Sequence, residues 1–234
     1  ASAGIGGTMF TRSKGDPVRK GTIKHLGKLP YYRVIDKNVN ANRQAGRGGA
    51  ATIYYDVLDP ELEDLLKLRN PTTIEEKKIK DIDYGLKYNF LFCRKVARNE
   101  DWMLISYMHA PDLWKAAYLN NNELFETLYN QYVERTDVPK KFVSARQIAI
   151  EYLTQAFEVG RLYEFAIDNV NSHTPFKDPI YSSNLCAEIC IPTKPFTGMM
   201  DLYSSQPNGE IGLCNLMAIV AGRVKTHEQY MLAA

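Results

Sequence analysis

The sequence predicts an α/β protein with parallel strands, because short apolar runs alternate with longer stretches of helical periodicity. Ala51-Thr-Ile-Tyr-Tyr55, Trp102-Met-Leu-Ile-Ser-Tyr107 and Leu162-Tyr-Glu-Phe-Ala-Ile167 are rich in β-branched and aromatic residues and read as strands. Between them lie segments with apolar residues at i, i+3 and i+4, bounded by capping signals.

In chain order, residues 1–30 read as loop, with glycines at Gly4, Gly6 and Gly7 and basic residues at Arg12, Lys14, Arg19 and Lys20. Glycines admit close approach of backbone to a ligand, and flanking cations suit a phosphate, although a solvated surface loop has the same composition. Pro30 to Val39 has helical spacing with Pro in the first turn. A glycine-rich, arginine-bearing loop follows, with Arg43, Gln44 and Arg47, and leads into the strand at 51–55. Asp59 to Leu68 reads as a helix with an Asp cap and Pro at its first position. Ile82 to Val96 reads as a second helix, with Cys93 on its apolar face as a packing residue. Helices at Pro111–Ala117 and 120–135 follow the strand at 102–107, and His109, in the loop between that strand and Pro111, has no second ligand nearby. Ser144-Ala-Arg-Gln147 has the form of a capping box and opens a helix to Val159, which Gly160 terminates. The strand at 162–167 then leads through Asn169 and His173 to a cysteine-bearing loop.

Length and composition fit one domain, with room for a lobe. The 234 residues are 45% hydrophobic and 24% charged, with a net charge of +2 and scattered basic residues, so bulk charge points to neither nucleic acid nor membrane. No apolar run approaches the roughly 20 residues that span a bilayer, and no secretory leader is visible, so a cytoplasmic protein is expected. Four cysteines without a Cys-x-x-Cys pair suggest reduced or catalytic thiols rather than a disulfide scaffold.

The chemistry concentrates in Tyr181-Ser-Ser-Asn-Leu-Cys-Ala-Glu-Ile-Cys190. In an extended or looped segment, Asn184, Cys186 and Glu188 project to one side, so a thiol is flanked by an amide and a carboxylate. A cysteine there can act through its thiolate or a thiyl radical, the carboxylate can take a proton, and the amide can orient a hydroxyl. Equally, alternation of this kind describes a half-buried strand that carries a free cysteine. A zinc module using His173, Cys186, Cys190 and Cys214 is a further possibility, but Cys-x3-Cys with one distant Cys and one His is a poor zinc pattern.

The run Ser183-Asn-Leu-Cys-Ala-Glu-Ile189, then Pro192-Thr-Lys-Pro195 and Gly209-Glu-Ile-Gly-Leu-Cys214, resembles the finger loop and following strand of the large subunit of class I ribonucleotide reductase. The resemblance extends, in the same order, through Ala3-Gly-Ile-Gly6, Gly15-Asp-Pro-Val-Arg19, Arg47-Gly-Gly-Ala-Ala51, Asp83-Tyr-Gly85, Gly160-Arg161 and Asn171-Ser-His-Thr-Pro-Phe176.

It implies part of a ten-stranded α/β barrel with the catalytic finger loop at its centre. Residues 1–234 would form a single, incomplete piece, without the N-terminal strand, the cone-type regulatory region and the C-terminal half. It further implies that Cys186 carries the thiyl radical, Glu188 takes the substrate 3′-hydroxyl proton, Asn184 holds substrate, and Cys214 is half of a redox dithiol whose partner precedes residue 1. Gly4, Leu185 and Ala187 would join these residues in contacting the ribonucleotide, and Arg12, Arg19 and Arg47 would serve a nucleoside triphosphate effector.

Asn-Leu-Cys-Ala-Glu is the form associated with class I enzymes, against Asn-Pro-Cys-Gly-Glu in the adenosylcobalamin-dependent class. The resemblance therefore implies no cofactor or metal in this chain and a radical supplied by a metal-containing small subunit. Implied partners are the remaining pieces of the large subunit, a second copy as homodimer, a dNTP or ATP effector, and thioredoxin or glutaredoxin. The isolated chain is expected not to turn over. A non-catalytic nucleotide-binding remnant is the alternative within the family, and the intact Asn184, Cys186 and Glu188 weigh against it.

Overall fold

The computed structural model describes residues 4–41, 48–198, 200–205, 208–215 and 218–233. The chain divides into two units, residues 1–193 and 194–234.

The first unit is organised on a four-stranded sheet of β1 (Gly4–Thr8), β4 (Ala50–Asp56), β5 (Asp83–Tyr88) and β8 (Leu162–Ala166), in the order β1-β4-β5-β8 and parallel throughout. This is the α/β architecture that the alternating pattern predicts. Two short strands, β2 (Pro17–Val18) and β3 (Ile23–Lys24), form a hairpin ahead of α1 (Leu29–Ala41). In sequence α2 (Leu62–Leu65) lies between β4 and β5; α3 (Phe90–Arg98), β6 (Asp101–Ile105), α4 (Pro111–Ala116), α5 (Asn122–Glu134), β7 (Lys140–Ser144) and α6 (Ala145–Val159) lie between β5 and β8; and α7 (Ile167–His173) follows β8.

Residues two apart on a strand share a face. The register therefore sets Gly4, Gly6 and Thr8 beside Ala50, Thr52 and Tyr54, and Thr52, Tyr54 and Asp56 beside Asp83, Gly85 and Lys87. On the opposite face Tyr55 meets Tyr84, and Tyr32 of α1 stacks on Tyr84 with ring centroids 6.1 Å apart. The core is aromatic: Trp102, Tyr32, Tyr54, Tyr84, Tyr118 and Tyr129 are among its largest fully buried side chains.

Several expectations need correction. The helix expected over 82–96 is a strand, β5, followed by α3. A strand flanked on both sides by parallel neighbours is buried on both faces and shows no alternation, so its apolar content mimics a buried helix. Asn89 marks the change, because its backbone is extended and its side chain accepts the N–H of Phe92 as an N-cap. Gly85 belongs to the strand: a Cβ there would lie 2.4 Å from the Tyr54 ring. Cys93, expected to pack, is exposed on α3.

The helix expected over 59–68 is reduced to the single turn of α2 flanked by turns. Asp59 does not cap a long helix, since its Oδ1 accepts from Glu61 N at 3.0 Å and its Oδ2 pairs with Lys28 Nζ at 2.6 Å. The strand expected at 102–107 is β6, but it pairs antiparallel with β7 and lies outside the main sheet. β7 begins with two lysines and has no buried residue, so nothing in its composition announces a strand. The local cap signals of α6 hold: Ser144 accepts from Gln147 N, and Gly160 closes the helix in the left-handed region at φ 64°. Helix α7 follows β8 directly, where the sequence reading has a continuous passage into the loop.

In the second unit, Lys194 bridges Glu210, Asp201 accepts from Thr197 and Asn208, and α8 (His227–Ala233) closes the described chain. No apolar side chain among its described residues is buried. No helix among the described residues is long and apolar enough to cross a membrane.

Candidate active site

The loop from Ile180 to Cys190 lies against the sheet face that carries Gly4, Gly6, Thr52 and Tyr54. Its start is fixed by Asn171 of α7, whose Nδ2 donates to Ile180 O at 3.0 Å and whose Oδ1 accepts from Ile180 N at 2.8 Å. An Asn that exchanges both bonds with one residue acts as a strand partner would, and its burial makes each bond count.

The loop is turned, not extended. Asn184 Oδ1 accepts from Glu188 N and Ile189 N, both at 3.1 Å, and buried Ser183 donates to Ile189 O at 2.7 Å. Ala187 sits at φ 64°, a left-handed conformation that a residue with a Cβ adopts at a cost. Of the two forms the sequence allows, extended or looped, the segment takes the looped one: Ala187 has a positive φ, and Asn184 spends its side-chain oxygen closing the turn. Its Nδ2 has no protein acceptor among the described residues, which leaves two N–H donors for another group.

Two side chains of β4 hold the loop from beneath. Thr52 Oγ1 donates to Leu185 O at 2.6 Å, and the Tyr54 hydroxyl donates to Asn184 O at 2.8 Å. Consecutive carbonyls flanking Cys186 on its N-terminal side are thus clamped to one strand. The glycines of β1 provide the room. A Cβ on Gly6 would lie 2.2 Å from the Asn184 carbonyl carbon, and one on Gly4 would lie 2.3 Å from Leu185 Cδ2. Close approach is what the sequence suggests for Gly4, and the partner in this structure is the loop itself.

Cys186 and Glu188 are exposed, while Leu185 and Ala187 are half-buried. Tyr163 of β8 shares their surroundings: burial raises its phenol, and Asp83, Cys186 and Glu188 add to the effect. Burial raises the Tyr54 phenol further, against a hydrogen bond with Ser183, so it remains a neutral donor across the physiological range. The roles of Thr52, Tyr54, Ser183 and Lys87 escape sequence reasoning. Only the glycine spacing of β1 signals their place in advance.

The other expected site residues are dispersed. Arg12 and Arg19 are exposed on the loop around β2 and β3, and neither guanidinium joins an ion pair among the described residues. Arg19 has a left-handed backbone at φ 48°. Buried Asp16 anchors that loop, accepting from Ser13 N at 2.7 Å and Ser106 Oγ at 2.5 Å, with His109 Nε2 3.6 Å away. Arg47, with Arg43 and Gln44, lies outside the described residues. Cys214 is exposed in the second unit. Among the described residues, no group of three or more His, Cys, Asp or Glu side chains is arranged to hold a metal ion.

The family model described as "Ribonucleotide reductase, barrel domain" matches residues 1–232, and the chain belongs to that family. Similar curated proteins are the ribonucleoside-diphosphate reductase subunit alpha of Buchnera aphidicola subsp. Acyrthosiphon pisum, 34% identical over 94% of this chain and 28% of its own, and that of Enterobacteria phage T4, 34% identical over 97% and 30%. The ribonucleoside-diphosphate reductase 1 subunit alpha of Escherichia coli K12 is 35% identical over 79% of this chain and 25% of its own. The chain thus spans between a quarter and a third of the length of these relatives.

Proposed function

We propose that this chain is the thiol-loop portion of a ribonucleoside-diphosphate reductase large subunit, an incomplete piece of its barrel, and that it takes part in reducing ribonucleotides to 2′-deoxyribonucleotides. The observation that carries the reading is the intact Asn184-Leu-Cys-Ala-Glu188 turn, seated on β1 glycines and on Thr52 and Tyr54.

Cys186, as a thiyl radical, abstracts the 3′-hydrogen of the ribose and becomes a thiol. Glu188 accepts the 3′-hydroxyl proton, and the free Nδ2 hydrogens of Asn184 donate to the oxygen on that carbon. The 2′-hydroxyl departs as water. A dithiol to which Cys214 contributes one sulfur supplies the proton for that water, a hydrogen atom to C2′ and one further electron, so becoming a disulfide; Glu188 returns its proton to the 3′-oxygen, and Cys186 returns a hydrogen atom to C3′. The radical comes from a metal-containing small subunit, and thioredoxin or glutaredoxin restores the dithiol. Arg12, Arg19 and Arg47 serve the phosphates of a nucleoside triphosphate effector, the large subunit works as a homodimer, and the setting is cytoplasmic.

Cys186 and Glu188 are exposed in this chain, whereas a radical site needs shelter from water, which on this reading the assembled reductase provides. The test is Cys186→Ser in the large subunit assembled with its small subunit and supplied with reductant and a ribonucleoside diphosphate. Deoxynucleotide formation is expected to fall by more than about a hundredfold while nucleotide binding survives, because the O–H bond of serine is too strong to replace a thiol in a radical relay. Activity above about one percent of the parent would sink the assignment.

A further inference from the structure

Lys87 stands near the C-terminal end of β5, on the face that carries the loop, and is 1% exposed. An ammonium buried so deeply needs an acceptor for each of its three N–H bonds. It has three. It donates to Thr8 Oγ1 at the end of β1 at 2.8 Å, to the Tyr118 hydroxyl, and at 3.3 Å to the carbonyl of Tyr181, one residue past the Asn171 clamp. The Tyr118 hydroxyl in turn donates to Asp56 Oδ2 at the end of β4 at 3.1 Å. The Phe10 and Tyr118 rings lie 5.0 and 4.7 Å from Nζ, and the edge of Phe10 also packs on Tyr181.

As a mere filler of this volume, an apolar side chain would avoid the desolvation that a buried cation suffers. The geometry points to Lys87 as a positioning residue of the thiol loop: its three bonds tie the loop's first turn at Tyr181 to the ends of β1 and, through Tyr118, β4. Asn171 fixes Ile180 and the Thr52–Tyr54 pair fixes Asn184 and Leu185, so Lys87 holds the span between two anchors that lead to Cys186. The part of this inference that concerns reduction rests on the reductase reading; the tether itself does not.

The tripod needs the protonated amine. A neutral amine has two N–H bonds, and Tyr118 cannot supply the missing hydrogen because its own goes to Asp56. The longest bond, to Tyr181, is then the one released. The groups facing Nζ are Asp56 from β4, Thr8 and Phe10 from β1 and its extension, Tyr118 beyond α4 and Tyr181 of the loop, with Asp59 and Lys28 farther away. Burial lowers Lys87 to about 8, against the opposing pull of Asp56 and Asp59. The loop's first turn accordingly loosens as pH rises through that value.

Amide hydrogen exchange of the chain, read by mass spectrometry from about pH 6.5 to 9.5 and corrected for the chemical rate, tests this. In the parent, peptides covering residues 180–190 are expected to open about tenfold more often above about pH 8, while those of α6 do not change. Lys87→Met is expected to open at the faster rate at every pH. Lys87→Gln keeps two N–H donors without titrating, so its exchange is expected to be intermediate and flat with pH. If the Met variant does not fold, the parent's pH series and the Gln variant decide the matter.

Parent exchange in 180–190 that tracks α6 across the pH range, or a Gln variant that retains the parent's pH dependence, overturns the tether. In the assembled large and small subunits, Lys87→Gln is expected to lower kcat several-fold with little change in KM, and an unchanged kcat overturns the positioning role. Cys186→Ser in the same assembly tests the reductase reading separately, and its failure leaves the exchange result to stand or fall alone.

Discussion

The loop that carries Cys186 and the loop that carries Arg12 and Arg19 are both irregular chain held on one α/β frame, but different chemistry holds them. The thiol loop is fixed mainly by neutral donors reaching its carbonyls: Thr52, Tyr54, Ser183 and the Asn171 amide. The arginine loop is fixed by buried carboxylates reaching its backbone N–H groups. Asp16 accepts from Ser13 N, and Glu61 accepts from Lys14 N at 3.0 Å and Lys28 N at 3.1 Å. Beneath them the Lys28–Asp59 pair has side chains only 4% and 1% exposed. Neutral clamps hold geometry at little desolvation cost and respond weakly to pH, whereas buried carboxylates bind more strongly and depend on charge balance. Among the described residues, Lys87 is the one charged tie on the thiol loop.

The sharpest way to break the comparison is Lys28→Met. It leaves Asp59 buried beside Glu61 without its cation, and a pair broken on one side costs about 3–5 kcal/mol. Denaturant unfolding should show a loss of that size, and Lys28→Met combined with Asp59→Asn should recover much of it, because the amide still accepts from Glu61 N. A loss below about 1 kcal/mol would mean that water already screens the pair and that the arginine loop does not depend on buried charge.

The thiol loop should answer to smaller changes. Tyr54→Phe keeps the ring that packs over Gly85 and removes the hydroxyl that donates to Asn184 O and meets Ser183, so the expected cost is about 1 kcal/mol in stability. The same holds for Thr52→Val and Leu185 O. Because the two carbonyls are adjacent, the double variant should lose more than the sum, and the alkylation rate of Cys186 should change while that of Cys93 does not. Additive losses with unaltered Cys186 reactivity would show that the clamp stabilises the fold without shaping the thiol's surroundings.

How far these arrangements are legible in the sequence follows the same division. Signals confined to a few residues are readable: Ser144 and Gly160 bound α6 as their spacing implies, because a cap is a local hydrogen bond and a local φ. The glycines of β1 are readable in kind, as places where something approaches the backbone, though not in what approaches. β5 is unreadable because a central parallel strand has no exposed face to mark its period, and Lys87 within it looks like a helix's solvated charge. The turn of the thiol loop is unreadable for a different reason. Asn184 and Ala187 are both compatible with an extended strand, and only the N–H groups of Glu188 and Ile189 converging on one amide oxygen reveal the reversal. Thr52 and Tyr54 lie more than a hundred residues from the carbonyls they hold, beyond the reach of any local pattern.

The finest discrimination between the two loops is their response to acid. Burial raises the Glu61 carboxyl above the ordinary glutamate value, the Asp59 charge raises it further, and the N–H bonds and charge of Lys28 with the N–H of Lys14 oppose the shift without cancelling it. A carboxyl whose folded value lies above its unfolded one binds more protons in the folded state between the two values. Its contribution to stability is therefore complete below the ordinary glutamate value, about 4.3, and is lost as pH rises through the raised one. Glu61→Gln does not titrate, so the parent should gain stability relative to this variant as the solution is acidified across that window. Tyr54→Phe should show a flat difference from the parent over the same range, since a buried phenol with a raised value stays neutral there. Unfolding curves at several pH values for the three proteins give both comparisons at once. A Glu61→Gln difference that is flat, or that slopes the other way, would mean that the carboxylate is solvated or over-compensated by Lys28, and the two loops would then be held by the same kind of bond.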